Sequence, residues 1–376
     1  MTKLETLVAN YIGSRYAIQV GTGTAALTLA LKALGIGKGH EVIVPSIVCY
    51  SVPFAVLYSG AEPIFCDVDP MTLNIDPESL RSVINNRTKA IIAVHLFGYP
   101  CNIKKIKEIA DSHQLYLVED FAQGFGGQLD EKYLGSFGVI SITSFGKDKI
   151  LDAGGGGIIL TNEPDLSRQV KKYADILPFV PNKKIQLYRR FYTAIFGLLK
   201  VIDGDQVKWR KLARKIANIF QPLFLYRLSA FQEERIIAQL SAIEDVLTKR
   251  YSYAKFWKET LQHPMLTHLG YELKSDIAYM KYTCILNGLL STDLLKPWDR
   301  GPITTLYPPM HLVFSKSTKL PIAESVAGRL INFPTSPVYS LADLKALKQR
   351  FIYMLNKAIS QKFRSYKNAK YAERDR

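Results

Sequence analysis

The chain has 376 residues, 48% of them hydrophobic and 22% charged, which is enough apolar material for one large core or two ordinary ones and excludes disorder as the main state. Its 49 Lys and Arg against 33 Asp and Glu leave a net charge of +16, a balance that suits phosphate-bearing, nucleic-acid or anionic-membrane partners without choosing among them. The cysteines Cys49, Cys66, Cys101 and Cys284 stand far apart and form no C-x-x-C pair, so neither a zinc site nor a disulfide framework is expected, and a reducing cytoplasm is the expected compartment.

In chain order, short β-branched runs alternate with helical patterns. Ala17-Ile-Gln-Val is followed by a helix from Thr24 to about Leu34, closed by Gly35 and Gly37. Glu41-Val-Ile-Val, a helix to Tyr58 and Pro63-Ile-Phe-Cys come next. Val42 to Ala61 has no charge, but Pro45, Pro53 and Gly60 break it into buried strand, loop and helix rather than a membrane span. Lys89-Ala-Ile-Ile-Ala-Val-His, a helix around residues 103–113, Leu115-Tyr-Leu-Val-Glu and Gly157-Ile-Ile-Leu-Thr continue the series. The alternation predicts an α/β fold with a mainly parallel sheet covered by helices on both faces.

From Lys183 to Lys215 ten basic residues face two acidic ones, Asp203 and Asp205, with aromatic and aliphatic residues between them. The pattern predicts an amphipathic helical pair broken at Asp203-Gly-Asp, able to meet anionic lipid or a second subunit. A long helix is expected from Ser229 to Leu261, then a smaller mixed α/β segment and a solvated basic tail from Gln361. The predicted organisation is a large domain over 1–245 with an insertion at 183–225, and a small domain over 246–376.

Three segments carry chemistry. Gly21-Thr-Gly-Thr-Ala-Ala26 joins a predicted strand to a predicted helix, where free amides and glycine can cradle a phosphate. It also fits a loose dinucleotide fingerprint and an ordinary strand-to-helix turn. Asp120 ends a hydrophobic strand at the edge where open α/β sheets bind ligands, and a buried carboxylate there needs a cationic partner; a helix N-cap is the plainer reading. Ser144-Phe-Gly-Lys-Asp-Lys149 places Lys147 and Lys149 ahead of the four glycines Gly154 to Gly157. That run suggests a backbone passing close to something, with a desolvated lysine beside it able to act as a Schiff-base nucleophile. No metal-ligand spacing and no motif for specific nucleic-acid recognition is visible.

Taken together, Gly23-Thr-Ala-Ala-Leu27, Glu41–Ser46, Gly60–Asp69, Asn74–Pro77, Arg87–Ile91, Val94–Gly98, Glu119–Gln123, Ser144–Lys149 and Gly156-Gly157 keep the order and spacing of one family. In them the chain resembles the pyridoxal-phosphate sugar aminotransferases of the DegT/DnrJ/EryC1/StrS type, with the fold-type I aminotransferase fold. The resemblance implies that Lys149 is the Schiff-base lysine and Lys147 is not. It implies that Asp120 pairs with the pyridine nitrogen, that Gln123 bonds the phenolic oxygen, and that Gly23, Thr24 and Ala25 with Ser144 hold the cofactor phosphate. The implied reaction moves an amino group, from glutamate, onto a nucleotide-linked keto-sugar, in a homodimer whose sites are shared between subunits.

Three departures from the family pattern touch the site. The family usually begins some tens of residues earlier, with a segment that helps close the active site, whereas this sequence starts almost at its first predicted strand. The aromatic that stacks on the cofactor ring falls at Cys49, leaving Tyr50 and His95 as substitutes, and the asparagine that reaches the phosphate from the neighbouring subunit falls at Leu225. His311, in Tyr307-Pro-Pro-Met-His311, joins Tyr50 and His95 as a candidate substrate residue. A non-catalytic or regulatory homologue is the rival reading. Localisation is expected to be cytoplasmic, with peripheral membrane contact through 183–225 as an option.

Overall fold

The computed structural model describes residues 1–181, 183, 187, 206–270, 272–295, 301–305, 309–314 and 319–374. The first half runs α1 (Lys3–Ile12), β1 (Tyr16–Val20), α2 (Gly23–Ala33), β2 (Glu41–Pro45), α3 (Ser51–Ser59), β3 (Glu62–Cys66), α4 (Pro77–Val83), β4 (Thr88–Val94), α5 (Ile103–Ser112), β5 (Tyr116–Asp120), a small hairpin β6 (Gln128–Leu129) and β7 (Lys132–Tyr133), β8 (Ile140–Ser144), β9 (Gly157–Thr161) and α6 (Pro164–Asp175). The second half runs α7 (Gln206–Phe224), α8 (Ala230–Leu240), α9 (Ile243–Thr260), β10 (Leu266–His268), β11 (Lys281–Leu286), α10 (Ser291–Leu295), β12 (Thr304–Thr305), α11 (Met310–Phe314), α12 (Pro321–Val326), β13 (Leu330–Pro334) and α13 (Leu341–Arg374).

Seven strands form one sheet in the order β1-β9-β8-β5-β4-β2-β3. Only β9 runs against the rest, pairing antiparallel with β1 on one side and β8 on the other. Every residue of β2 and of β9 is buried, as a sheet covered on both faces requires. The small side chains of Ala25, Ala26 and Ala30 let α2 lie close to that sheet, and all three are buried. Helix α1, which the alternation of strands and helices does not predict, is started by a capping box between Thr2 and Glu5 and stopped by Gly13 in the left-handed conformation.

A second sheet, β10-β11-β13-β12, is antiparallel throughout. Trp257 of α9 fixes it to the helices: the indole N–H donates to the Pro334 carbonyl at 2.8 Å, and its ring lies 4.8 Å from Phe333, which in turn meets Phe351 of α13 edge-on.

Two expectations change. The single helix predicted over Ser229–Leu261 is two, α8 and α9, parted at Ser241-Ala242. The Ser241 hydroxyl bonds back to the Ala238 carbonyl, a local bond that competes with helix propagation, while Gln239 clamps the Asp152 backbone through its carboxamide oxygen and nitrogen. The basic tail from Gln361 continues α13 as far as Arg374. Of the predicted helical pair in 183–225, the second member is α7, and the first lies outside the described residues. Among the described residues no helix is long and apolar enough to cross a membrane.

Candidate active site

The parallel strands deliver their C-terminal ends to one edge, where a cavity of about 180 Å³ opens. Asp120, the last residue of β5, lies at its wall and is buried. Its Oδ1 accepts the Ala122 amide at 3.0 Å, and its carbonyl accepts the His95 amide at 3.1 Å. Burial pushes the carboxyl pKa up, while the Lys149 charge and the Ala122 amide pull it down. The neighbouring Glu119 points to the opposite face of the strand and is saturated by the amides of Gly135, Phe137 and Gly138 and by His95 Nε2. It anchors β5 in place, so the position of Asp120 is held from behind.

Both Lys147 and Lys149 line the cavity. They sit on a tight turn closed by the Lys149 amide donating to the Gly146 carbonyl at 3.2 Å. Asp148 between them takes the left-handed conformation, φ +65°, with its amide on Asp152 Oδ2 at 3.0 Å. Lys149 is half-buried and Lys147 exposed.

Gly23 and Thr24 start α2 at the cavity. Thr22 caps the helix, accepting the Ala25 amide at 2.9 Å and donating to the Phe224 carbonyl at 2.8 Å. Ala25 therefore spends its N–H on the cap, and Gly23 and Thr24 are the residues whose amides a phosphate can use. Glycine at 23 is required by contact: a Cβ there would lie 2.7 Å from Ser144 Cβ. Gly157 has the same reason, since a Cβ there would stand 2.8 Å from the Gly23 nitrogen, and Gly156 takes a positive φ, +110°. The Ser144 hydroxyl, also on the wall, accepts the Gly146 amide at 3.3 Å.

Gln123 faces the cavity with its carboxamide oxygen already bound by the Phe97 amide at 2.9 Å, which leaves the NH₂ end as its contribution. Phe97 holds the left-handed conformation, φ +59°, and its carbonyl accepts the Met280 amide at 2.8 Å. The adjoining Gly98, φ +92°, has no room for a side chain against the Met280 and Tyr279 nitrogens, each 2.9 Å from where its Cβ would be.

The remaining wall is apolar: Leu27, Val48, Cys49, Val52 and Ile142, with Leu223, Phe224 and Tyr226 arriving from the end of α7. The last three are missed by sequence reasoning. Thr22 holds the Phe224 carbonyl, and the Gly21 amide holds the Tyr226 carbonyl at 2.7 Å, pairings more than two hundred residues apart that no local pattern announces. Tyr50, His95 and His311 do not line the cavity, and all three are buried. Tyr50 packs edge-on against Phe54. His95 accepts the Cys101 amide on Nδ1 at 3.1 Å, so Nε2 carries the proton given to Glu119. His311 lies between Ser46 Oγ at 2.6 Å and Glu324 at 3.1 Å. Cys49 is on the wall where an aromatic ring was expected to stack.

A phosphorylated pyridine aldehyde presents a phosphate, an aldehyde, a ring nitrogen and a phenolic oxygen. The cavity offers a helix N-terminus, an amine, a buried carboxylate and an amide NH₂, so the residues present fit that group. The fold and this cavity define a fold-type I pyridoxal-phosphate enzyme. More narrowly, the chain belongs to the DegT/DnrJ/EryC1/StrS aminotransferase family, whose pattern matches residues 1–351. It is 31% identical over 355 residues to a GDP-perosamine synthase of Caulobacter vibrioides, covering 92% of this chain and 87% of the relative. It is 30% identical over 350 residues to the GDP-perosamine synthase of Escherichia coli O157:H7, covering 90% and 85%. Among solved structures it is similar to a DegT DnrJ EryC1 StrS aminotransferase from Brucella abortus, with a TM-score of 0.73, 26% identity and coverage of 93% and 88%.

Proposed function

We propose that this chain is an aminotransferase that uses pyridoxal 5'-phosphate to move an amino group from glutamate to the carbonyl carbon of a nucleotide-linked keto-sugar. The observation that carries the reading is that Lys149 and Asp120 share one cavity with the N-terminus of α2. The similarity to two GDP-perosamine synthases supports the sugar-nucleotide acceptor. When bound, the cofactor supplies an electron sink for the charge left on the donor carbon. Lys149 would hold the cofactor through its amine and, as general base, would move the proton to and from the donor carbon. Asp120 keeps the ring nitrogen protonated by countering its charge. Gln123 donates its NH₂ to the phenolic oxygen, and Gly23, Thr24 and Ser144 hold the phosphate.

A non-catalytic role would leave Lys149 and Asp120 without work. The deciding experiment is the visible spectrum of the purified protein with pyridoxal phosphate. The bound-cofactor band is expected in the wild type and in Lys147→Ala, and lost in Lys149→Ala. Borohydride reduction and peptide mapping should place the label on Lys149; label on Lys147 would overturn the assignment. We further propose a homodimer, supported by the exposure of Ile176, Phe179 and Ile219 at the end of α6 and on α7, each more than two-thirds exposed.

A further inference from the structure

The cavity is too small for the whole acceptor. A volume of about 180 Å³ lies below the several hundred cubic ångströms that enclose a drug-sized ligand, so the nucleotide part of a bound sugar nucleotide must project from its mouth. The anion nearest that mouth is the diphosphate joining sugar to nucleoside.

One cation is placed to meet it. Lys147 lines the cavity yet is exposed, and it forms no ion pair in the described structure. The turn explains why it can face the cavity alongside Lys149: the intervening Asp148 is in the left-handed conformation, is held by Asp152, and does not line the cavity. Two further cations stand close by. Lys281 at the start of β11 and Arg250 of α9 stand near the same turn, and neither has a salt bridge among the described residues; the one carboxylate acting on both is Asp148. Burial depresses the Lys281 ammonium, Asp148 opposes it, and the charges of Arg250 and Lys147 depress it further, so Lys147, Lys281 and Arg250 gather as three cations about Asp148.

We infer that Lys147 is the diphosphate contact of the acceptor, a specificity-determining residue at the cavity rim, separate from the cradle that holds the cofactor phosphate. The inference rests on the proposed nucleotide-sugar reading. A lysine is a mobile point charge suited to a phosphate at an open rim, whereas the donor carboxylate calls for a planar two-pronged guanidinium.

The test is calorimetric titration of the cofactor-loaded full chain with GDP and with UDP, at low and high salt, for the wild type, Lys147→Gln and Lys147→Arg. One or both nucleotides should bind the wild type, and more weakly at high salt. Lys147→Gln should weaken that binding about tenfold or more, as loss of a hydrogen bond to a charged group does, and Lys147→Arg should recover most of it. Wild-type affinity in Lys147→Gln would overturn the inference, as would a defect confined to the glutamate-driven loss of the cofactor band, which would assign Lys147 to the donor. Failure of the wild type to bind either nucleotide overturns it as well. If glutamate still discharges the band in that case, the aminotransferase reading stands and only its nucleotide part falls; if glutamate does not, the aminotransferase reading falls too.

Discussion

Arg250 of α9 donates from Nη2 to the backbone carbonyl of Lys149 at 3.4 Å. Its Nη1 reaches the carbonyls of Tyr279 and Met280 and the hydroxyl of Thr335 at 3.4, 3.2 and 3.2 Å. One buried guanidinium thus fastens the lysine turn to the second sheet, and burial lowers its pKa to about 10 with Asp148 opposing. Arg250→Met leaves those acceptors with fewer partners in the interior, which should cost on the order of 3 kcal/mol. Urea unfolding measures it, and an unchanged midpoint would show that the four bonds contribute nothing net.

Asp120→Asn carries a pH signature. Burial raises the Asp120 pKa in the fold, so in the cofactor-free protein the ionised carboxylate is disfavoured. Its stabilising contribution is full below the ordinary carboxylate pKa and is lost as pH rises through the raised value. Thermal unfolding of the cofactor-free protein should therefore show Asn gaining on Asp between pH 4 and pH 7. In turnover the order reverses, because Asn cannot counter the pyridinium charge. Near-normal turnover of Asp120→Asn would remove Asp120 from the chemistry.

His311 has the opposite sign. Burial lowers its pKa, with Glu324 opposing, so the fold prefers the neutral ring between Ser46 and Glu324. Its contribution is present above the ordinary histidine pKa and fades as pH falls through the lowered one. The stability difference between wild type and His311→Ala should be larger at pH 8 than at pH 5. A difference that grows on acidification would mean that the charged ring is the form the fold holds.

The cysteines should separate cleanly under iodoacetamide. Burial pushes the Cys66 thiol up to about 12 and Cys284 further up, and Cys101 is buried as well. Cys49 is partly exposed on the cavity wall. Peptide mapping should find Cys49 labelled first in the native protein and protected by pyridoxal phosphate. Labelling of Cys49 that the cofactor does not slow would put the cofactor elsewhere.

The proposed homodimer predicts that Ile219→Asp, on the exposed face of α7, shifts sedimentation equilibrium toward the monomer. It also predicts that the wild type does not pellet with anionic vesicles at low salt. Pelleting that high salt reverses would favour a lipid contact for α7.

What the sequence made legible was whatever is encoded within one strand and its following turn. Asp120, Gln123, Ser144 and Lys149 each end or follow a strand of the parallel sheet, so alternation and motif spacing placed them on one edge, and Gly23-Thr24 likewise. Ala25 was not separable from its neighbours, because its amide is taken by a cap that depends on the Thr22 rotamer. Tyr50, His95 and His311 resemble site residues by their position in motifs, yet burial and partners, which local sequence does not encode, turn them away from the cavity. Leu223, Phe224 and Tyr226 reach it through the long-range pairing of the α7 end with Gly21 and Thr22. The break between α8 and α9 contains no glycine or proline to mark it and follows from the docking of Gln239 on Asp152.

Phe97 lends its amide to Gln123 and its carbonyl to Met280, one residue away from β11. Any sliding of the second sheet against the first must pull on that peptide, and so on the carboxamide that Gln123 turns toward the cavity. On the proposed contact of Gln123 with the cofactor, the tint of the loaded protein would then be a built-in gauge of how the two sheets stand, readable in a cuvette with no label attached.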